Sequence, residues 1–287
     1  MATIKELKTR KKSVVSTQKI TSAMKLIAAS RLKKSQDNMI KARPYSYKIK
    51  NMIVEFTQVV KNYDHDFLKS NATGKKLYIV VTSDKGLCGS FNSSVIKLFH
   101  SNLKDTSSDD FLVIGIGNRI IQNLKANKIP MYREYSDAFK DFDFTLASDI
   151  GKDLMTLYRK GEVSEVVLVY NKFLNAISQE LMFEKLLPLN FDGNEEIPQD
   201  EKVSEFLIEP DEKTILDTLF PSYINTQVWK VFLESYASEN AARMMAMDNA
   251  TENANEMIST LELQINKARQ AAITQEIAEI VGGASVL

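Results

Sequence analysis

The stretch ASENAARMMAMDNATENANEMISTLELQINKARQAA, Ala237 to Ala272, decides how this chain is read. Within it Ala237, Asn240, Met244, Met247, Thr251, Ala254, Ile258, Leu261, Ile265, Ala268 and Ala272 recur at alternating steps of three and four. A period of 3.5 held over this length is that of a helix wound left-handedly around a partner helix. The seam is narrow, its residues are small, and Asn240 and Thr251 in it are polar. It therefore brings two backbones close while burying little apolar area per turn. No proline or glycine falls between Pro221 and Gly282, and a helix of about sixty residues is ~90 Å long at 1.5 Å per residue. After Ala272 the seam stops, because the next positions in register are Gln275 and Glu279. Ile273, Ile277, Ile280 and Val281 take up another phase, and with Ala271, Ala272 and Ala278 they make the end apolar on several sides. A helix apolar all round is normally enclosed. The partner helix is thus expected to end near residue 272 while the tip enters other protein. An ordinary buried C-terminal helix is the competing reading.

The partner is sought in residues 2–43, which lack proline and glycine. Val14, Thr17, Thr21, Met24 and Ala28 repeat the three-four spacing, flanked by Ile20, Ala23 and Ile27. Their sizes match the C-terminal seam, so the two chain ends are each other's expected partners in an antiparallel pair. Pro44 is expected to bend this helix, since it removes a hydrogen bond and crowds the preceding turn. The apolar pattern resumes at Ile49, Met52, Ile53 and Phe56 and fades by Asn62.

Charge sharpens the division. Lys and Arg number 37, as do Asp and Glu. The first fifty residues hold fourteen basic groups against Glu6 and Asp37, a net of +12, which leaves the rest at −12. Such asymmetry points to an acidic partner for one end. The single cysteine, Cys88, excludes an intramolecular disulfide framework and fits a reducing compartment. The longest apolar run, Phe111–Gly117, is far too short to cross a bilayer, so no direct bilayer insertion is expected. Met1–Lys12 leads into the first helix without a cleavage-like break and is read as mature protein.

Between the helices the pattern changes. Leu77–Thr82, Phe111–Ile116, Ile129–Tyr135 and Val163–Tyr170 read as extended runs. Phe91–Leu103, Gly117–Asn127 and Phe144–Lys160 read as helices, and Ile177–Leu187 as a further strand. The alternation predicts an α/β class with a small, mostly parallel sheet in Rossmann-like layering. Residues 192–212 carry nine acidic groups against one lysine. They read as an exposed connection around a short strand, Glu205–Glu209. The expected divisions are 1–62 and 211–287 for the coiled-coil helices, 75–190 for the α/β domain and 191–210 for the acidic connection.

Three places invite chemistry. Ser83-Asp84-Lys85-Gly86-Leu87-Cys88-Gly89-Ser90 joins the first strand to a helix, where backbone N–H groups can hold an anion. It lacks the Walker spacing, which favours a structural turn. Gly115-Ile116-Gly117-Asn118-Arg119-Ile120 resembles a dinucleotide fingerprint with Glu134 roughly placed for a ribose, but Ile120 stands where the third glycine belongs. His65 and His100 lie far apart in the chain, and Cys88 with His100 as base has no further support. No catalytic residue, cofactor or metal site is expected.

The residues also carry a family resemblance. Thr17-Gln18-Lys19-Ile20-Thr21-Ser22-Ala23-Met24, running on to Ala28-Ala29-Ser30, is similar to the N-terminal helix of the gamma subunit of F-type ATP synthases. So is Asp84-Lys85-Gly86-Leu87-Cys88-Gly89. The C-terminal blocks Ser238-Glu239-Asn240-Ala241-Ala242-Arg243-Met244, Asn266-Lys267-Ala268-Arg269-Gln270 and Ile273-Thr274-Gln275-Glu276 resemble it most closely. The resemblance implies a non-catalytic rotor shaft: an antiparallel coiled coil bearing an α/β domain, turning inside a hexamer of alpha and beta subunits. It implies further partners in the epsilon subunit and the membrane ring of c subunits, on the cytoplasmic face of a bacterial inner membrane. By the same resemblance Arg269 and Gln270 catch a loop of a beta subunit. Met24, Arg243, Thr274 and Glu276 belong to the coupling shaft. Glu205, Phe206, Leu207, Ile208 and Glu209 form a foot against the ring and epsilon. Chloroplast members carry an inserted cysteine pair for thiol regulation, which a chain with Cys88 alone lacks. Two other classes stay in view. A Rossmann-type oxidoreductase would bind nicotinamide nucleotide, and a coiled-coil nucleic-acid binder would use the +12 helix with steep salt dependence. Neither explains the apolar tip.

Overall fold

A computed structural model describes residues 3–59, 65–71, 73–103, 107, 109–140, 143–191 and 211–284. The elements run α1 (Ile4–Val59), β1 (Lys75–Val81), α2 (Phe91–Asn102), β2 (Phe111–Ile116), α3 (Asn118–Ala126) and β3 (Arg133–Tyr135). They continue with α4 (Phe144–Arg159), β4 (Val163–Phe173), β5 (Gln179–Leu187) and α5 (Glu212–Ala284), and a 3-10 turn at Asp66–Leu68 precedes β1. The chain divides into two compact units: Met1–Ala29 with Arg243–Leu287, and Ser30–Ala242.

The first unit is an antiparallel pair made by the start of α1 and the end of α5. Thr3 opens α1 with a reciprocal cap: its N–H donates to Glu6 Oε2 at 2.9 Å, and the Glu6 N–H donates to Thr3 Oγ1 at 3.3 Å. From residue 251 to 281, only Thr251, Ala254, Ile258, Leu261, Ile265, Ala268 and Ala272 are other than exposed. These are the predicted seam positions and no others. On α1 the covered row is Ile4, Leu7, Lys11, Val14, Gln18, Thr21, Lys25 and Ala28, with Met24 half-buried beside it. Thr17 is exposed, contrary to the sequence reading, and Gln18 takes its place. Gln18 keeps the three-four step from Val14 to Thr21, while the Thr17 hydroxyl donates to the Ser13 carbonyl on its own helix. Lys11 and Lys25 lay their stems along the seam and send their ammonium groups outward, to Glu262 at 2.8 Å and Asp248 at 2.6 Å. At the centre the Thr21 and Thr251 hydroxyl oxygens are 2.7 Å apart.

The second unit holds a five-stranded sheet in the order β3-β2-β1-β4-β5, parallel except for the antiparallel β4–β5 pair. The strands alternate between two cores, and both faces are covered, so β1 reads as a continuous apolar run. Leu77, Ile79 and Val81 join α4 and α5 through Leu154, Tyr158, Phe220 and Val231, with Ile53 and Phe56 of α1. Tyr78 and Val80 face α2 and α3 through Val95, Phe99, Ile120 and Leu124. Both long helices pass through a proline. Pro44 does not end α1: its neighbours Met39, Ala42, Ser46, Ile49, Ile53 and Phe56 keep the three-four row of covered positions. The carbonyl that loses its donor belongs to Ile40, which is 61% exposed, so water can take the bond.

Candidate functional site

The first β–α turn is closed from within. The Ser83 N–H donates to Asn92 Oδ1 at 2.9 Å, and its hydroxyl donates to the Lys85 carbonyl at 2.6 Å. Asp84 reaches across to α3. Its Oδ1 accepts the Asn118 N–H at 3.1 Å and its Oδ2 accepts the Phe139 N–H, also at 3.1 Å. In a dinucleotide site the start of α3 would receive the pyrophosphate. Here a carboxylate of the chain itself holds that place, and a second anion there would be repelled. Gly117, at φ 90°, crosses so close to β1 that a Cβ would run into the Thr82 carbonyl. Ile120, in the third-glycine position, is fully buried. Glu134 pairs with Lys125 at 2.8 Å. The glycine pattern therefore builds a tight strand–helix crossing and not a nucleotide cradle.

The remaining titratable candidates are likewise engaged locally. Cys88 is buried, and its sulfur accepts from Asn92 Nδ2 at 3.2 Å. His100 Nε2 lies 2.7 Å from Asn123 Oδ1. His65 is buried, with Nδ1 accepting the Phe67 N–H at 3.2 Å and Nε2 lying 3.2 Å from Asp217 Oδ1. Burial is the largest influence on its pKa and pushes it below the ordinary histidine value, against the pull of Asp217. Among the described residues no group of three or more His, Cys, Asp or Glu is placed to hold a metal ion. No described helix is long and apolar enough to cross a membrane.

What the first unit offers is a surface. In the Thr21–Thr251, Lys25–Asp248 and Lys11–Glu262 pairs, the two residue numbers add to 272 or 273. By that register Ile4, the first residue of α1, stands opposite residues 268–269. Arg269 and Gln270 thus lie where the partner helix begins, and both are exposed. Residues 273–284 continue for ~18 Å at 1.5 Å per residue. Along them Ile273, Ile277, Ile280 and Val281 are 48%, 55%, 71% and 63% exposed. Thr274 and Glu276 are exposed on the same stretch, with the Thr274 hydroxyl donating to the Gln270 carbonyl at 2.9 Å. Four large aliphatic side chains in three turns of solvent-facing helix form a patch that calls for a cover. On α1, Ile20 and Ile27 are 60% and 54% exposed.

Met24 is half-buried beside the α1 seam and Arg243 is buried, so neither belongs to the exposed end. Glu205, Phe206, Leu207, Ile208 and Glu209 lie outside the described residues. Two features escaped the sequence reading. The pin at Asp84 depends on a crossing between distant loops and leaves no periodic mark. The Lys11–Gln18–Lys25 part of the α1 seam was masked by polar residue types, although the spacing from Ile4 through Leu7 to Leu32 signals it.

Comparison with known proteins agrees with this geometry. A family profile described as ATP synthase matches residues 3–287. The ATP synthase gamma chain of Prosthecochloris aestuarii is 39% identical over all of this chain and 99% of its own length. That of Desulfitobacterium hafniense is 39% identical over the full length of both. Among solved structures, a chain of the Tetrahymena thermophila mitochondrial ATP synthase central stalk and c-ring is 26% identical, with TM-score 0.60, covering 80% of this chain and 99% of that one. A chain of the Euglena gracilis mitochondrial ATP synthase, 18% identical, shares the fold with TM-score 0.69 over 99% of this chain and 94% of that one. A full-length match in sequence, joined to a paired-helix unit and a five-stranded α/β unit, places this chain in the ATP synthase gamma chain family.

Proposed function

We propose that the chain is the rotor shaft of an F-type ATP synthase, coupling ion-driven rotation of a membrane ring of c subunits to the catalytic sites of beta subunits. The chain supplies no catalytic group of its own. The bare apolar end of α5 beyond residue 272 carries this reading, since it requires a sleeve that none of the described residues supplies; a hexamer of alpha and beta subunits is that sleeve. As the shaft turns, it contacts each beta subunit differently. Only such a difference in contact can shift a conformational equilibrium. Arg269 and Gln270 are the catch: a guanidinium offers a planar fork of donors to a carboxylate, and an amide both donates and accepts. Met24, Arg243, Thr274 and Glu276 are secondary coupling positions. The foot, by family resemblance, is Glu205–Glu209, against the loops of the ring and the epsilon subunit. The complex is peripheral to the cytoplasmic face of a bacterial inner membrane, a reading that the bacterial relatives support.

Purifying the tagged chain from its source and measuring subunit stoichiometry tests the proposal. One copy of this chain with three alpha, three beta and one epsilon subunit is the expected result. Recovery without alpha and beta subunits would reject it.

A further inference from the structure

A cavity of about 590 Å³ opens within the second unit, between residues 39–50 of α1 and residues 223–234 of α5, with Glu184 of β5 on its wall. Cavities of roughly 300–1,000 Å³ with mainly apolar linings and a few polar groups are those that hold small organic ligands. Buried Met39 and Leu233 contribute apolar lining here, and Tyr47, Tyr223 and Trp229 contribute aromatic surface. Trp229 is held edge-to-face against Phe144, with ring centroids 6.1 Å apart, so its ring is a fixed wall.

The charged groups of the lining are Arg43 and Lys50 of α1, Lys230 of α5, Glu184 and Glu234. The two carboxylates are partly withdrawn. Glu184 Oε2 accepts the Tyr170 hydroxyl at 3.0 Å. Glu234 is buried, and loss of water pushes its carboxyl above the ordinary range, ahead of the opposing pull of Lys230. Arg43 and Lys230 form no ion pair among the described residues, although they come from different helices and line one cavity. The balance around an apolar interior is therefore cationic.

We propose that this cavity binds a small amphipathic anion, a carboxylate or phosphate head on an apolar body, with Arg43 and Lys230 holding the head and the aromatic walls the body. The cavity is lined by residues of the second unit alone, and none of them is a residue to which coupling is assigned.

Trp229 is the only tryptophan of the chain, so its emission reports occupancy directly. The full chain is titrated with decanoate, with inorganic phosphate, and with vesicles of phosphatidylglycerol or phosphatidylcholine. A saturable emission change with decanoate is expected, weakened about tenfold, the factor for 1.4 kcal/mol, by Arg43→Gln or Lys230→Gln. Lys230→Arg should retain binding, which separates loss of charge from loss of fold. A saturable response to phosphatidylglycerol but not to phosphatidylcholine, with none to decanoate, would identify the head as a lipid's and sustain the proposal. No saturable response to decanoate or phosphatidylglycerol would overturn it. So would equal affinity in the glutamine variants, or binding of inorganic phosphate as tight as that of the amphiphiles.

Discussion

At the scale of single residues, a carboxylate occupies the place a ligand would take. Asp84 accepts backbone N–H groups from Asn118 and Phe139, tying the first β–α turn to the start of α3 and to a later loop. Asp84→Ala should therefore destabilise the second unit by about 1–3 kcal/mol, as for a lost cap or a buried donor left unmatched. Asp84→Asn keeps one acceptor and should lose less. Chemical denaturation reads both, and equal stability of Asp84→Ala and the parent would mean the pin carries no weight. His65 gives a pH signature. Its folded pKa is depressed, so the neutral form is favoured by folding. The stability it contributes is present above the unfolded value near 6.5 and falls as pH drops through the lower folded value. A melting series from pH 7.5 to 5 should show a downward step that His65→Gln reduces; an identical step in the variant would place its origin elsewhere. At the end of α5, Arg269→Ala with Gln270→Ala should assemble normally yet lower ATP turnover and coupled ion pumping. Hydrogen bonds to a charged partner contribute roughly 1.5–3 kcal/mol each. Arg269→Lys should recover only part of the activity, because a point charge does not reproduce the fork. Wild-type turnover in the assembled double variant would remove the catch from these residues.

At the scale of elements, α5 is one helix with two environments. Up to Ala272 it has a covered row against α1; beyond it, every described residue whose burial is known is exposed. Helical hydrogen bonds without tertiary packing open easily. Amide exchange on the isolated chain should therefore be fast over residues 273–281 and markedly slower over 244–265. Adding the alpha–beta hexamer should slow the first stretch most; uniform protection along the helix in the isolated chain would contradict this account. The same element shows why so much was legible in sequence. A 3.5 period on small residues fixes one face of a helix, and from Thr251 to Ala272 the α5 seam was readable to the residue. Between Ala237 and Ala250 nearly every position is covered, so burial does not single the seam out there. The strand and helix alternation of 75–187 was equally plain, because strands buried on both faces are written as unbroken apolar runs. On α1 the period was harder to see, because Lys11, Gln18 and Lys25 occupy seam positions with only their stems. Thr17, small and β-branched, imitated a seam residue. Pro44 was expected to bend α1, and the helix runs on through it to Val59, because a proline on an exposed face removes a hydrogen bond that water replaces. The Asp84 pin and the cavity between α1 and α5 depend on contacts between distant segments, which no local pattern records.

At the scale of the whole molecule, the stability of the first unit is the weak term. Its seam is built from alanine, threonine and single aliphatic side chains. Complete burial of a large aliphatic side chain contributes about 1.5–3 kcal/mol, and few positions here, Leu261 among them at 3% exposure, reach that condition. The Lys11–Glu262 and Lys25–Asp248 pairs are partly exposed. Such pairs contribute about 0–1 kcal/mol each and serve register more than stability. Against these gains stand the cost of ordering two helices and an apolar end left in water. The expectation is a chain that folds weakly alone and strongly in company, with no ATP turnover in isolation. A partner that binds only the folded form adds stability as RT ln(1 + [L]/Kd), about 2.7 kcal/mol at a hundredfold excess over Kd. Association should also slow steeply with salt, because the basic first fifty residues, net +12, are screened at a Debye length of about 8 Å in physiological buffer. Melting the chain alone and with increasing alpha–beta hexamer, at low and high salt, separates these terms. A high, concentration-independent melting temperature for the isolated chain would show that the seam suffices. A rising one, together with an association rate in rapid mixing that ignores salt, would show that the sleeve is held by its apolar contact with α5 and that the basic helix does not steer the encounter.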